Sequence, residues 1–183
     1  MMTEPLTLTE ANFKPCRRTD IPALMEIDTR SHEYPWEQDT FKEMFKTITL
    51  VCIDDKPVGY VAYKVSALKL EIFRMAIHPD YRRRQIGTQF FNHLTRAHGS
   101  NGRSVEVTVR SAQLEGQLFL RSQHLRCCKT ESDFYQFSNG ATDDAYVFTS
   151  APKSDKTTPG KPRGPLTVNI NIKNRISRYY DKS

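Results

Sequence analysis

Apolar residues recur along this chain with two periods, and the switches between them mark out the elements. Residues 13–18 read as a short first strand. Thr19 or Asp20 then reads as a helix N-cap with Pro22 in the first turn, where a missing N–H is harmless. Ile21, Leu24, Met25 and Ile27 follow at helical spacing. A second helix is predicted over 37–45, introduced by Tyr34, Pro35 and Trp36. Residues 47–53 are β-branched and apolar, 54–56 form a turn, and 57–65 return, which makes a hairpin. Residues 70–77 read as another strand, ending at His78-Pro79-Asp80. The helix predicted over 87–98 carries Phe90, Phe91, Leu94 and Ala97 on its apolar face and stops at the Gly-containing stretch 99–102. Strict alternation over 104–110 puts Val105, Val107 and Val109 on one face and Glu106, Thr108 and Arg110 on the other. A helix over 114–123 and strands over 125–137 and 145–149, joined by the turn-rich 138–140, complete an α/β or α+β pattern built on a mixed sheet.

Composition adds a boundary. The chain has 183 residues, 38% of them hydrophobic, enough for one sizeable core. Residues 151–165 hold four prolines and two glycines and read as a linker. Lys153, Lys156, Lys161, Lys173, Lys182, Arg163, Arg175 and Arg178 then outweigh Asp155 and Asp181, which accounts for the whole formal charge of +6. The expected organisation is a charge-balanced domain over 1–150 and a basic tail over 151–183. A nucleic-acid-binding body would carry the excess charge itself, so that class loses weight for 1–150. The tail has three readings: a solvated terminus, a weak contact to ribosomal RNA or another polyanion, or, through alternating Leu166, Val168, Ile170 and Ile172, a strand added to a sheet edge. No apolar run approaches the roughly 20 residues of a membrane span, and MMTEPLTLTE has no secretory pattern. Cys16, Cys52, Cys127 and Cys128 form no C-x-x-C pair. Reduced thiols in a cytoplasmic protein and no metal site are expected.

The stretch 71–94 carries the chemistry. It reads as a buried strand, a tight basic loop and a helix start. A helix N-terminus presents unpaired N–H groups and partial positive charge, which favours an anion. Arg82, Arg83 and Arg84 add formal charge at that point, and Gly87 allows close backbone approach. A bound phosphate is the functional reading; a solvated arginine cluster is the plain one.

The run Met75-Ala76-Ile77-His78-Pro79-Asp80-Tyr81-Arg82-Arg83-Arg84-Gln85-Ile86-Gly87-Thr88 resembles motif A of the GNAT superfamily of acyl-CoA N-acyltransferases. The resemblance extends to the order of elements over about residues 10–150. It implies a GNAT-like fold with a mostly antiparallel central sheet and flanking helices. His32-Glu33-Tyr34-Pro35-Trp36, with Phe41, is similar to a segment of protein N-terminal acetyltransferases of the bacterial ribosomal-protein-alanine type. Ser132-Asp133-Phe134-Tyr135 falls where those enzymes place a tyrosine near the peptide. The alternative for Trp36 and Tyr135 is plain packing.

By this resemblance the co-substrate is acetyl-CoA and the acceptor a primary amine, foremost a protein N-terminus. Met75, Ala76 and Ile77 would pair with the pantetheine arm, with an amide near Ala76 polarising the thioester carbonyl. The amides of Arg83, Arg84, Gln85, Ile86, Gly87 and Thr88 would cradle the pyrophosphate, helped by the Arg82, Arg83 and Arg84 side chains. Gln113 stands where the family has an Asn that helps hold the cofactor. Tyr34, Trp36 and Tyr135 would line the acceptor site. Glu71 and Glu106 are candidate bases, each with a plainer reading: a strand-start residue for Glu71, a partner of Arg103 or Arg110 for Glu106. An α-amine, with pKa about 7.7–8.0, asks little of a base.

Four departures stand against the pattern. Gln85 replaces the usual first Gly, which strains the loop if that residue needs positive φ. Thr108 stands where N-terminal acetyltransferases carry a Glu, and Leu120 where they carry the Tyr that protonates the leaving thiolate. Tyr135 or Tyr81 would have to substitute. His124-Leu125 replaces a terminal Gly-aromatic pair. They leave two other readings open: a catalytically silent CoA-binding sensor or interaction module, and a GNAT enzyme for a small-molecule amine.

Overall fold

Two aspartates set the first hairpin. Asp54 and Asp55 take φ values of 48° and 60°, the left-handed pair that a two-residue turn needs to match strand twist. The turn joins strand β2, Ile48–Ile53, to β3, Lys56–Val65. The structure is a computed structural model that describes residues 10–98, 102–137 and 140–150. The linker and tail over 151–183 lie outside the described residues, as do 99–101 of the predicted helix stop and 138–139 of the predicted turn. The described residues form two compact units that divide between residues 101 and 102.

In the first unit, β1 (Asn12–Pro15) pairs antiparallel with β2, and β4 (Lys69–Ile77) antiparallel with β3. The first strand is shorter than predicted: it ends at Pro15, and Arg18–Asp20 forms a 3-10 turn instead. Helix α1, Ile21–Ser31, carries Pro22 in its first turn as expected and buries Ile21, Leu24, Ile27 and also Asp28. Asp20 is its N-cap residue, as expected, but its carboxylate accepts from the Arg17 amide, 2.8 Å away, and not from the helix. Helix α2, Gln38–Met44, buries Thr40 and Phe41. Leu24, Phe41, Leu50, Tyr60, Ala62 and Ala76 form the core with Trp36, whose ring meets Phe41 edge-on at 5.5 Å. Helix α3, Ile86–His98, buries Ile86, Phe90, Phe91 and Leu94, and Phe13 of β1 stacks on Phe90 at 5.0 Å. Ala97, predicted on the apolar face, is exposed: the stripe ends at Leu94, one turn before the helix does.

In the second unit, β5 (Ser104–Arg110) and β6 (Arg126–Gln136) each pair antiparallel with β7 (Thr142–Thr149). Val105, Val107 and Val109 are buried as the alternation requires. Helix α4, Leu114–Ser122, follows β5. It closes with two bonds, Leu125 N–H to Leu120 C=O at 3.1 Å and His124 N–H to Arg121 C=O at 3.0 Å. That is a Schellman ending, with His124 at φ 62° where glycine is usual.

Candidate functional site

Strand β4 reaches the site at its C-terminal end. Leu70, Ile72, Arg74 and Ala76 are buried, and the residues between them are half-buried. Phe73 is the extra residue of a bulge opposite the Ala62–Tyr63 step of β3. Past the bulge, Met75, Ala76 and Ile77 run opposite Val61, Tyr60 and Gly59. Gly59 is required there: a Cβ on it would lie 2.6 Å from the Ala76 carbonyl oxygen and 2.5 Å from Ile77 Cδ1. The Ile77 carbonyl accepts from Arg82 Nε at 3.0 Å and from Ser31 Oγ at 3.3 Å, so both the following loop and the end of α1 are tied to this point.

The loop after β4 is a tight turn of fixed shape. Pro79–Tyr81 is a 3-10 turn, with Tyr81 N–H bonded to His78 C=O at 2.9 Å. Arg83 and Gln85 then take φ of 61° and 60°, and Gln85 C=O accepts the first helical bond of α3 from Gln89 N–H at 2.9 Å. Left-handed residues in such a turn gather backbone amides into a concavity that suits an anion, and α3 adds its positive end. The three arginines differ. Arg82 is spent on Ile77, and Arg84 lies over the Tyr81 ring at 5.3 Å. The Arg83 guanidinium is exposed and enters no ion pair among the described residues. Gly87 and Thr88, in the first turn of α3, are half-buried.

Behind β4 lies a buried ionic cluster that sequence reasoning missed. Asp28, fully buried, accepts from Tyr60 OH at 2.6 Å, from His32 Nδ1 at 2.8 Å and from the Trp36 amide at 2.6 Å. Arg74 meets it with two parallel bonds of 2.8 Å, from Nε and Nη2. Burial alone would raise the Asp28 carboxyl, but the His32 hydrogen bond and the Arg74 charge overcome it and hold the group well below the carboxylate range. Burial lowers the His32 pKa, and the Arg74 charge adds to that against the pull of Asp28. The signal was present in the pattern. Asp28 sits on the buried stripe of α1 next to Ile27, and Arg74 occupies a buried phase of the alternating β4. Opposite charges at two buried positions can only be stable together.

The remaining predicted site residues lie as follows. Tyr34 is half-buried, while Trp36 is 8% exposed and packed in the core beside Arg74. The Trp36 ring packs in the core, and Tyr34 is the less buried of the two aromatic residues. Glu71 has a side chain 17% exposed, 3.5 Å from Lys69 Nζ. In the second unit Glu106 and Thr108 lie on the same half-buried face of β5. Gln113 is the N-cap residue of α4, with its side chain lying over Gly116. Leu120 is 5% exposed, and Tyr135 is 6% exposed against Phe134. Cys16 is no nucleophile: burial, with help from Asp20, pushes its thiol up to about 11. No described helix is long and apolar enough to cross a membrane, and no group of three metal-ligating side chains gathers among the described residues.

A strand, an arginine-bearing turn with two left-handed residues and a helix N-terminus follow one another here, the order of the acyltransferase motif. The profile of the acetyltransferase (GNAT) family matches residues 21–123, more than half of the chain, and the chain belongs to that family. Among curated proteins it is 31% identical over 80 residues to the ribosomal protein bS18-alanine N-acetyltransferase of Salmonella typhimurium, covering 42% of this chain. That match spans about half, 53%, of the relative's length. Among solved structures, the ribosomal-protein-S18-alanine N-acetyltransferase from Escherichia coli superposes with a TM-score of 0.68 at 20% identity, over 84% of this chain and 99% of that one. Arabidopsis thaliana Naa50, solved in complex with the bisubstrate analogue CoA-Ac-MVNAL, gives 0.65 at 16% identity over 77% and 98%. These likenesses fix the mixed α/β acetyltransferase fold that the motif implied.

Proposed function

We propose that this protein is an acetyltransferase that moves an acetyl group from acetyl-CoA to a primary amine by direct attack, with a protein N-terminal α-amine as the leading acceptor. The observation that carries the reading is the turn 79–88. Its left-handed Arg83 and Gln85, the helix end behind them and an exposed Arg83 side chain with no ion pair among the described residues fit a pyrophosphate. The curated relatives that act on a ribosomal-protein alanine support the acceptor class. So does Naa50, held with a peptide-bearing analogue. Free thiols at all four cysteines suit a reducing, cytoplasmic setting.

Acetyl-CoA supplies the acetyl group activated as a thioester. Arg83 and the amides from Arg84 to Thr88 would hold its phosphates, with Arg82 and Arg84 keeping the turn in shape. The Met75–Ile77 backbone would hold the pantetheine arm as an added strand, and Gln113 is a further candidate contact. Tyr34 would meet the acceptor. Glu71 and Glu106 are the candidate bases. Glu71 stands four residues before Met75, about 13 Å along an extended strand, so it would serve an amine there only through a chain of waters. An α-amine needs little more at neutral pH. The second reading, a CoA-binding module without turnover, is favoured by Leu120, a buried hydrocarbon where the family's proton donor would stand. Tyr135 would then be the donor on offer.

Calorimetric titration with acetyl-CoA, beside the Arg83→Glu/Gly87→Asp double variant, tests the reading. We expect binding that the variant abolishes, and acetylation of peptides beginning with Ala or Ser, read by mass spectrometry. No binding at millimolar acetyl-CoA would defeat the reading; binding without transfer to any amine would favour the silent module.

A further inference from the structure

The stretch between α1 and α2, residues 32–37, has no helix or strand to hold it. Its shape is set instead by the buried pair behind it. Asp28 takes the His32 ring at 2.8 Å and the Trp36 amide at 2.6 Å. Arg74 Nη2, besides its bond to Asp28, donates to the Tyr34 carbonyl at 2.8 Å, and the guanidinium lies over the Trp36 ring at 5.1 Å. Tyr60 OH completes the shell of Asp28 at 2.6 Å. The two charges thus bond to each other, to Tyr60 and to His32, Tyr34 and Trp36, every second residue of one irregular segment.

A buried ion pair gives little net stability, since apolar residues of the same volume commonly do as well. What it gives here is a fixed geometry. Arg74 directly precedes Met75, so the segment bearing Tyr34 is bonded to the strand residue next to the expected thioester site. Proximity between two reactants is sensitive to shifts of an ångström.

We propose that Asp28 and Arg74 are positioning residues for the amine acceptor. They hold the Tyr34–Trp36 backbone in register with the Met75–Ile77 end of β4 and so set acceptor affinity, and they take no part in holding acetyl-CoA. The proposal rests on the acetyltransferase reading above. Neither residue touches the reacting atoms.

The test uses the full chain, acetyl-CoA and a peptide with an N-terminal alanine. Arg74→Lys keeps the charge beside Asp28 but loses the planar fork and its bond to the Tyr34 carbonyl. Arg74→Met removes both and carries the greater folding risk, so the lysine variant keeps the test usable. Losing one charge-assisted bond to the segment should raise acceptor KM about tenfold. The acetyl-CoA Kd should stay unchanged. Trp36 is the only tryptophan, so its emission reports on the clamp without turnover; it should move to the red and become more accessible to acrylamide. A purely structural pair would lower the melting temperature and leave acceptor KM in place, and that result overturns the proposal. So does an acetyl-CoA Kd that weakens in step with KM. A wild type that transfers nothing to the alanine peptide overturns the peptide-acceptor reading, and the acceptor role of the clamp falls with it. A wild type that transfers, with variants of unchanged KM, overturns the clamp alone.

Discussion

Gln85 is held at φ 60°, where its Cβ crowds the backbone and only glycine sits without cost. His124 pays the same penalty at the end of α4, at φ 62°. By the resemblance to motif A and to the end of the family's later helix, both stand where a glycine is usual. Replacing either with glycine relieves about 1 kcal/mol of backbone strain, offset in part by the freedom glycine adds to the unfolded chain. Gln85→Gly and His124→Gly should each raise the melting temperature by about 1–2 °C for a domain of this size. Gln85→Gly should keep acetyl-CoA binding, because the turn keeps its shape. A lower melting temperature in thermal unfolding would show that the Gln85 or His124 side chain makes compensating contacts. The departure at Gln85 was legible as a letter in the sequence, but its sign was not. Whether glutamine is tolerated depends on φ, and the turn alone sets φ.

Among the elements, α1 couples its own C-terminus to the sheet. His32 caps that end with its N–H on the Asp28 carbonyl at 2.9 Å and its ring on the Asp28 carboxylate. Burial and the charges of Arg74 and Arg82 keep its pKa below the ordinary value, although Asp28 pulls upward. The unfolded chain therefore takes up this proton first as pH falls. The His32 contribution to stability is complete above about pH 6.5 and is lost as pH drops toward the folded value. For Asp28 the folded pKa is also lowered, so its contribution survives to more acid pH and fails only below the ordinary carboxylate range. His32→Gln should flatten the fall in stability just below pH 6.5, measured by urea unfolding at a series of pH values; an unaltered slope would remove His32 from the account. Strand β5 and helix α3 were legible because one face of each is buried, which writes a period into the sequence; the hairpin was legible from its apolar runs, buried at consecutive positions, and the turn between them. The bulge at Phe73 was not, because it leaves burial alternating along β4 while shifting the pairing with β3 by one residue.

At the scale of the molecule, charge and catalytic fold separate along the chain. The excess positive charge lies in 151–183 and the family match in 21–123. Deleting 151–183 should leave the acetyl-CoA Kd and peptide turnover as they are, read by calorimetry and by initial rates. A large loss of turnover would assign the tail a part in acceptor binding. The same truncation, tested for retention on RNA at low and moderate salt, separates a polyanion contact from a solvated terminus.

The sequence by itself determined the order of elements, the strand, basic turn and helix start around 79–88, the resemblance to the family and the place of the charge. Each depends on local spacing: a period, a turn residue or a run of neighbouring side chains. Only the tertiary structure decided that Gly59 must be glycine, that Arg82 braces Ile77 while Arg83 enters no ion pair among the described residues, and that Trp36 is buried while Tyr34 is half-buried. It alone paired Asp28 with Arg74, 46 residues apart. Contacts between distant residues depend on which faces the fold brings together, and no local pattern records them. A buried charge is stable only with its partner in place, so the meaning of Asp28 in α1 is fixed by a residue on another element.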